Sequence, residues 1–188
     1  MNAITDIAKA GRVNGIDLDA LTETVDAVSH DHAKGIVEFR VRTEWVGQTR
    51  SESTVESYTI GGQRIDRRFK VVADEPFELL GTNSAPNPQE LLMSAVNACM
   101  MVGYVAQAAI RGINLTACRI EMSGELDLRG FLGIDPAVPN GYRELNYLVT
   151  LEGDGTRAQF EEIHAAVQAT SPNFYNMNET IVMHGRLA

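Results

Sequence analysis

The sequence predicts an α+β fold in which antiparallel sheets pack around one long, buried central helix. Two observations predict it. Runs that alternate apolar and polar residues lie on both sides of a continuous, largely apolar stretch from Pro88 to Gly112. The length of 188 residues is sufficient to bury a core without disulfides.

In the first half of the chain, an amphipathic helix over Ile16 to Ser29 is predicted by four apolar residues at helical spacing: Leu18, Leu21, Val25 and Val28. Strict alternation from Val37 to Trp45 then predicts a half-buried strand with one polar face. Strands over Val55–Ile60 and Arg64–Val72 flank Gly61 and Gly62, a pair typical of a tight hairpin turn.

In the second half, the central helix begins near Pro88 and ends at Gly112, a residue suited to a helix C-terminus. Thr156 and Gln159 fit a capping box that opens a further helix. Three more strands are predicted, over Leu115–Leu126, Leu145–Leu151 and Thr180–Arg186. The alternation in the first of them places Cys118, Ile120, Met122 and Leu126 on one apolar face.

Composition excludes several classes of function. The net charge of −9 argues against nucleic acid or an anionic membrane as partner. No apolar run reaches 18 residues, and the amino terminus lacks the basic start of a secretory signal. The two cysteines fit neither a disulfide scaffold nor a zinc site, and the four histidines show no ligand spacing. We therefore predict a cytoplasmic protein with no metal and no cofactor.

The central helix carries apolar or small residues on every face, so one sheet cannot cover it. A second copy of the helix across a twofold axis is the simplest cover, because twofold dimers are the commonest oligomers. The sequence thus predicts a homodimer.

Three stretches resemble the OsmC/Ohr family, the osmotically induced and organic hydroperoxide resistance proteins. The first is Asp74-Glu-Pro76 followed by Pro86-Asn-Pro-Gln-Glu-Leu-Leu-Met-Ser-Ala-Val-Asn-Ala-Cys99. The others are Asp127-Leu-Arg-Gly-Phe-Leu-Gly133 with Gly141-Tyr-Arg-Glu-Leu145, and Ala169-Thr-Ser171-Pro172. The resemblance covers residues 36–188, an OsmC-like domain, and leaves residues 1–35 as an N-terminal helical extension.

The resemblance implies an intertwined homodimer with active sites at the subunit interface. It also implies a peroxiredoxin-like activity in the oxidative stress response: Cys99 attacks a hydroperoxide, becomes a sulfenic acid, and then forms a disulfide with a second cysteine. The chain departs from this pattern twice. Ser171 stands where the second cysteine is usual, and Gln89 stands where the family has its active-site glutamate, with Glu90 beside it.

A thiolate is the reactive form of cysteine, so Cys99 needs a group that stabilises negative charge. Cys99 lies about three turns into the helix, beyond the reach of the helix dipole. On the strand Arg64–Val72, Arg67 alternates with Ile65, Phe69 and Val71 and so shares the apolar face, where an arginine needs a partner. Arg67 is the predicted cation, and the alternative is an edge arginine that reaches water.

Gln89 and Glu90 precede Cys99 by about 13–15 Å of helix, so they reach the thiol only through a bridging arginine or across a dimer. Glu90 is the third predicted catalytic residue, and its alternative role is a favourable acid in the first helical turn. Cys118 is predicted to be an inert core cysteine, because helix–sheet packing at about 10 Å exceeds the roughly 7 Å span of a disulfide.

Two functions follow. The first is a one-cysteine, thiol-dependent hydroperoxide reductase that an external thiol recycles, since sulfenic acids condense readily with thiols. The second is a non-catalytic binder of a small apolar ligand on the same dimeric scaffold. Cys99 favours the first function, and Ser171 and Gln89 favour the second.

Overall fold

The computed structural model describes residues 11–187. The first ten residues, which include the amino terminus examined for a signal sequence, and Ala188 lie outside this range. The elements, in chain order, are β1 (Arg12–Val13), β2 (Ile16–Asp17), α1 (Leu18–His30), β3 (Val37–Phe39), β4 (Arg42–Gly47), β5 (Arg50–Ile60), β6 (Gln63–Ala73), α2 (Pro88–Ile110), β7 (Leu115–Ser123), α3 (Leu128–Phe131), β8 (Asn146–Gly153), α4 (Arg157–Thr170) and α5 (Pro172–Asn178).

These elements form two compact units. The first contains residues 17–94, with α1, the strands β3 to β6 and the start of α2. The second contains residues 12–16 and 95–187, with the rest of α2, β7, β8 and the later helices. The division into an extension over 1–35 and a domain over 36–188 stays a prediction.

The first unit is built on an antiparallel sheet of four strands. β5 pairs with β6 along one edge, and with β3 and β4 in turn along the other. The predicted turn is confirmed: Gly61 and Gly62 have φ of 54° and 77°, the left-handed values that a two-residue hairpin turn requires.

The strand predicted over Val37 to Trp45 is interrupted. Arg40 and Val41, which lie between β3 and β4, are not part of either strand. Its apolar residues are not half-buried in this chain. Phe39 is 70% exposed and Trp45 is 76% exposed. The alternation predicts the strand geometry correctly, whereas residues 11–187 leave Phe39 and Trp45 largely uncovered.

The second unit holds the hydrophobic core. The core packs one side of α2 and α4 against the sheet formed by β7 and β8, and its buried members are Val96, Met100, Tyr104, Ala108, Ile113, Ile163 and Val167. The predicted inward residues Cys118, Ile120 and Met122 of β7 pack against this cluster. The predicted capping box of Thr156 and Gln159 is present and begins α4.

α2 ends as predicted. Gly112 has φ of 69°, its N–H donates to the carbonyl of Ala109, and the N–H of Ile113 donates to the carbonyl of Ala108. This pair of bonds is the Schellman motif, which satisfies carbonyls that the helix leaves free. The length and composition of α2 would also suit a membrane span, as is common for the core helix of a soluble protein.

The predicted last strand, Thr180–Arg186, is wrong for this chain. No regular element follows α5 within the described residues, and Met183 is 90% exposed. A strand forms only by pairing with another strand, and no strand among residues 11–187 pairs with this segment. The residues just before this segment form α5, whose start is marked by Ser171 and Pro172, a typical N-cap and first-turn pair.

Candidate functional site

Cys99 lies in the second unit, about midway along α2, and its side chain is partly buried. The thiol contacts the end of α4: Ser171 Oγ donates a hydrogen bond to Cys99 Sγ at 3.5 Å. Ser171 is only 5% exposed, so this hydroxyl is almost shielded from water. Two of the predicted site residues are therefore in direct contact.

Two further contacts fix this arrangement. One turn before Cys99, the carbonyl of Ala95 accepts a hydrogen bond from Asn173 Nδ2 at 3.0 Å. Phe174 packs against the core cluster and lies edge-on to Tyr147 with ring centroids 6.1 Å apart. The first turn of α5 is thus held against α2 beside the thiol.

Ser171 is rigid because it belongs to two helix termini at once. Its N–H donates to the carbonyl of Val167 and ends α4, and its carbonyl accepts from the N–H of Tyr175 in α5. Its Oγ also accepts from the N–H of Phe174 at 3.4 Å, as an N-cap hydroxyl does. The hydroxyl proton is therefore left to point at the sulfur.

Cys118 differs in environment from Cys99. It packs against the core cluster, and burial raises the pKa of its thiol. Cys118 is therefore held in the protonated form at neutral pH, which is a poor nucleophile. This agrees with the predicted inert role.

Arg67 lies in the first unit, on β6, and it is exposed rather than core-facing. Its guanidinium stacks on the rings of Tyr58 and Phe69, with its central carbon 5.3 and 5.0 Å from their centroids. Stacking of this kind holds the planar cation in place while leaving its N–H groups free to donate.

The predicted alternation of Arg67 with Ile65, Phe69 and Val71 is interrupted, because the strand contains a bulge. Val55 pairs with Phe69 and Ser57 pairs with Asp66, so Arg67 and Arg68 together stand opposite Glu56. An extra residue reverses the alternation beyond it. Bulges are common next to active sites, where they redirect a side chain. Sequence alternation alone gives no sign of this insertion.

Glu90 and Gln89 lie in the first unit at the start of α2. The Glu90 carboxylate accepts from the N–H of Asn87, and Asn87 Oδ1 accepts from the N–H of Glu90, both at 2.8 Å. This reciprocal pair is a capping box. Glu90 has the structural role of an acid in the first helical turn, Gln89 is partly buried, and a part of either residue in catalysis stays a prediction.

Asp74 is the most heavily hydrogen-bonded side chain of the first unit, and sequence reasoning missed its role. It is 1% exposed and accepts six hydrogen bonds, from the hydroxyls of Thr49, Thr82 and Ser84 and the N–H groups of Glu75, Thr82 and Ser84. These bonds, first that from the Thr82 hydroxyl, hold the pKa of Asp74 well below its usual range. The loop from Asp74 to Ser84 is thereby closed on itself ahead of α2.

No group of three or more potential metal ligands occurs within residues 11–187. His164, one of the four histidines, instead pairs through Nδ1 with the hydroxyl of Tyr104 at 2.6 Å. Tyr104 is fully buried in the core cluster, so this bond satisfies its hydroxyl group.

The family model for OsmC-like proteins matches residues 81–184, more than half of the chain. The chain therefore belongs to the OsmC-like protein family, and the predicted resemblance and α+β fold are confirmed.

Among solved structures, an OsmC-like protein from Mycoplasma pneumoniae is similar with a TM-score of 0.57 and 14% identity, over 75% of this chain and 87% of that one. A protein from Psychrobacter arcticus, described as a putative osmotic stress induced and detoxification response protein, has a TM-score of 0.55 and 15% identity, over 71% of this chain and 84% of that one. An OsmC-like protein of unknown function from Vibrio cholerae has a TM-score of 0.52 and 14% identity, over 73% of this chain and 91% of that one. At these identities the likeness shows the fold alone, and no curated protein matches the chain significantly.

Proposed function

We propose that this protein is a cytoplasmic, thiol-dependent hydroperoxide reductase that uses Cys99 as its single reactive cysteine in peroxide detoxification. The observation that carries the proposal is the contact between the partly buried Cys99 thiol and the buried Ser171 hydroxyl, at 3.5 Å. Membership of the OsmC-like family and the name of the Psychrobacter protein, a detoxification response protein, support a role in detoxification.

In the proposed reaction, the Cys99 thiolate attacks the outer oxygen of the hydroperoxide and the O–O bond breaks. The alkoxide leaves and takes a proton to become an alcohol, and Cys99 becomes a sulfenic acid. An external thiol then condenses with the sulfenic acid, releasing water and forming a mixed disulfide. A second external thiol releases reduced Cys99 and leaves as the disulfide of the two thiols.

The reaction needs a cation at the thiolate, and we propose that Arg67 of a second copy supplies it. Within the described residues, the one hydrogen bond to the Cys99 sulfur comes from a neutral hydroxyl. The guanidinium of Arg67 is exposed and pre-oriented by two aromatic rings. A neighbouring cation favours the thiolate over the thiol.

A homodimer is supported by the apolar surface that residues 11–187 of one chain leave exposed. Phe39, Trp45 and Phe69 are exposed on the four-stranded sheet. One stripe of α2, which includes Ala95, Ala98 and Val102, is also exposed. Exposed apolar surfaces of this extent mark interaction sites, and a second copy is the partner that symmetry favours.

The test of the proposed function is the oxidation of the native protein by cumene hydroperoxide in the presence of dithiothreitol. We expect continuous peroxide consumption, with one molecule of dithiothreitol oxidised per peroxide. Without the reductant, dimedone should trap a sulfenic acid at Cys99 alone, read by mass spectrometry of peptides. Equal, slow labelling of Cys99 and Cys118 with no consumption above the protein-free rate would contradict the proposal.

Arg67→Met is expected to slow peroxide consumption about 10- to 100-fold, the range for loss of one preorganised charged donor. Arg64→Met is the matched control, because Arg64 lies on the same strand but pairs with Asp66 at 2.9 Å. Co-expression of Arg67→Met and Cys99→Ser chains should restore about a quarter of the activity per chain, since half of randomly paired dimers then contain one intact site. No recovery in the mixed dimers would show that Arg67 of the partner is not the activating cation.

The second candidate is a non-catalytic binder of a small apolar ligand on the same scaffold. Among residues 11–187, the hydrogen bond to the Cys99 sulfur comes from a neutral group, and this favours the binder, because a cysteine without an activating charge behaves as a small apolar packing group. Unreactive Cys99 in the dimedone experiment, together with binding of an apolar fluorescent probe, would favour this function.

A further inference from the structure

We propose that the Ser171 hydroxyl is a catalytic hydrogen-bond donor to the Cys99 sulfur, holding it first as the thiolate and then as a sulfenic acid exposed to an external thiol. This inference rests on the proposed function and assigns a role to the residue that replaces the second cysteine. Ser171 would thus be an active part of a one-cysteine cycle.

The direction of the hydrogen bonds supports this role. Ser171 Oγ accepts from the N–H of Phe174 at 3.4 Å, so that contact uses a lone pair of the oxygen and leaves its proton free. The remaining contact is with Cys99 Sγ at 3.5 Å, where the proton is donated. A hydroxyl that accepts one hydrogen bond donates a stronger one, because successive bonds polarise each other.

Burial increases the effect. Ser171 is 5% exposed, so little water competes for its proton. The backbone of Ser171 is fixed by bonds to Val167 and Tyr175, and Asn173 ties the next turn to α2 at Ala95. The donor is therefore preorganised, and it stabilises a charge on sulfur without a cost of reorientation.

The same geometry accounts for the second half of the cycle. The serine oxygen cannot form a disulfide, so it leaves the sulfenic acid of Cys99 intact. Cys118 is held as a thiol by burial against the core cluster. The group that attacks the oxidised sulfur must therefore come from outside the chain, and the sulfenic oxygen leaves as water.

The first experiment measures the alkylation of Cys99 by iodoacetamide as a function of pH, a reaction that involves no peroxide. Ser171→Ala should slow alkylation at pH 7 about tenfold and move the pH profile of the rate about one pH unit higher. This is the effect expected from losing a hydrogen bond to a charged group. Ser171→Thr retains the hydroxyl and should behave as the native protein. Thr156→Ala removes the N-cap of α4 at the opposite end of that helix, and controls for the loss of a cap.

An unchanged pH profile for Ser171→Ala with native circular dichroism would overturn the inference. If Ser171→Ala slows alkylation as expected but the native protein consumes no peroxide, the proposed function alone is contradicted. The two failures are therefore distinguishable.

Ser171→Cys provides a second measurement that does not depend on the alanine variant folding. The two side chains face each other at 3.5 Å, and a disulfide of about 2.05 Å requires only a modest approach. One equivalent of cumene hydroperoxide should convert this variant to an intramolecular disulfide, with a mass two hydrogens below the reduced form. A sulfenic acid that persists in this variant would show that position 171 does not face the reacting sulfur, and would overturn the inference.

Discussion

Cys99→Ser is expected to lower the thiol-dependent consumption of cumene hydroperoxide roughly 1,000-fold or more, the scale for removal of a nucleophile. A serine hydroxyl is not ionised at neutral pH, so it cannot replace the thiolate that attacks the peroxide. The measurement is the initial rate of peroxide loss with dithiothreitol in excess. Dimedone labelling should disappear from the α2 peptide at the same time.

Cys118→Ser is the matched control, because it makes the same chemical change in the same chain. Cys118 packs against the core cluster and its thiol has a raised pKa, so we expect its variant to keep the native rate. The proposal would be contradicted if Cys118→Ser lost the activity while Cys99→Ser retained it. Equal loss in both variants would likewise show that Cys99 is not the single nucleophile.

Local signals in the sequence predict most of the elements. The glycine pair at the hairpin, the capping box of α4 and the C-terminal glycine of α2 each act through bonds within a few residues. Such signals depend only on backbone geometry, which a short stretch of sequence specifies. The inward residues Cys118, Ile120 and Met122 of β7 are also predicted, because the alternation is regular from Cys118 to Ser123.

Features that depend on distant partners could not be predicted. The segment Thr180–Arg186 has the pattern of a strand, but a strand also needs a partner strand, and none among residues 11–187 pairs with this segment. The bulge at Arg67 and Arg68 is visible only when β6 is aligned with β5, so the alternation on one strand alone does not reveal it. Both features concern pairing rather than local propensity.

The residues of the candidate site likewise include some that the sequence indicates and some that it does not. The family pattern indicates Cys99 and the position of Ser171, and the structure places them in contact. Glu90 carries a residue type that suits either catalysis or a cap, and the structure shows the cap. Asp74 gives no sequence signal for its hydrogen-bonding role, because its three hydroxyl donors come from positions as far away as Thr49.

Asp74→Asn is expected to be the most destabilising single substitution in the first unit, lowering the melting temperature by about 5–10 °C. The native carboxylate accepts six hydrogen bonds and donates none. An asparagine of the same shape replaces one acceptor oxygen by an NH₂ group, which would face N–H and hydroxyl donors. A buried donor without an acceptor costs the free energy of its desolvation.

The surrounding loop cannot relax easily to accommodate the change. A Cβ at Gly81 would lie 1.7 Å from the carbonyl oxygen of Glu75, which shows how closely the two sides of the loop approach. Asp66→Asn is the matched control, since the Asp66 side chain is exposed on β6 and pairs with the exposed Arg64. Thermal unfolding followed by circular dichroism should separate the two variants, and an equal melting temperature for both would contradict the role assigned to Asp74.

The pH dependence of unfolding is an independent test of the stabilising role of Asp74. The pKa of Asp74 is depressed in the native state by the hydroxyl of Thr82 and its other donors, whereas in the unfolded chain an aspartate has a pKa of about 3.9. As the pH falls below about 5, the unfolded state therefore binds more protons than the native state, and the stability contributed by Asp74 is progressively lost. Stability measured by urea unfolding should consequently fall less steeply between about pH 5 and pH 3 in Asp74→Asn than in the native protein, because the variant has no carboxylate to titrate at this position.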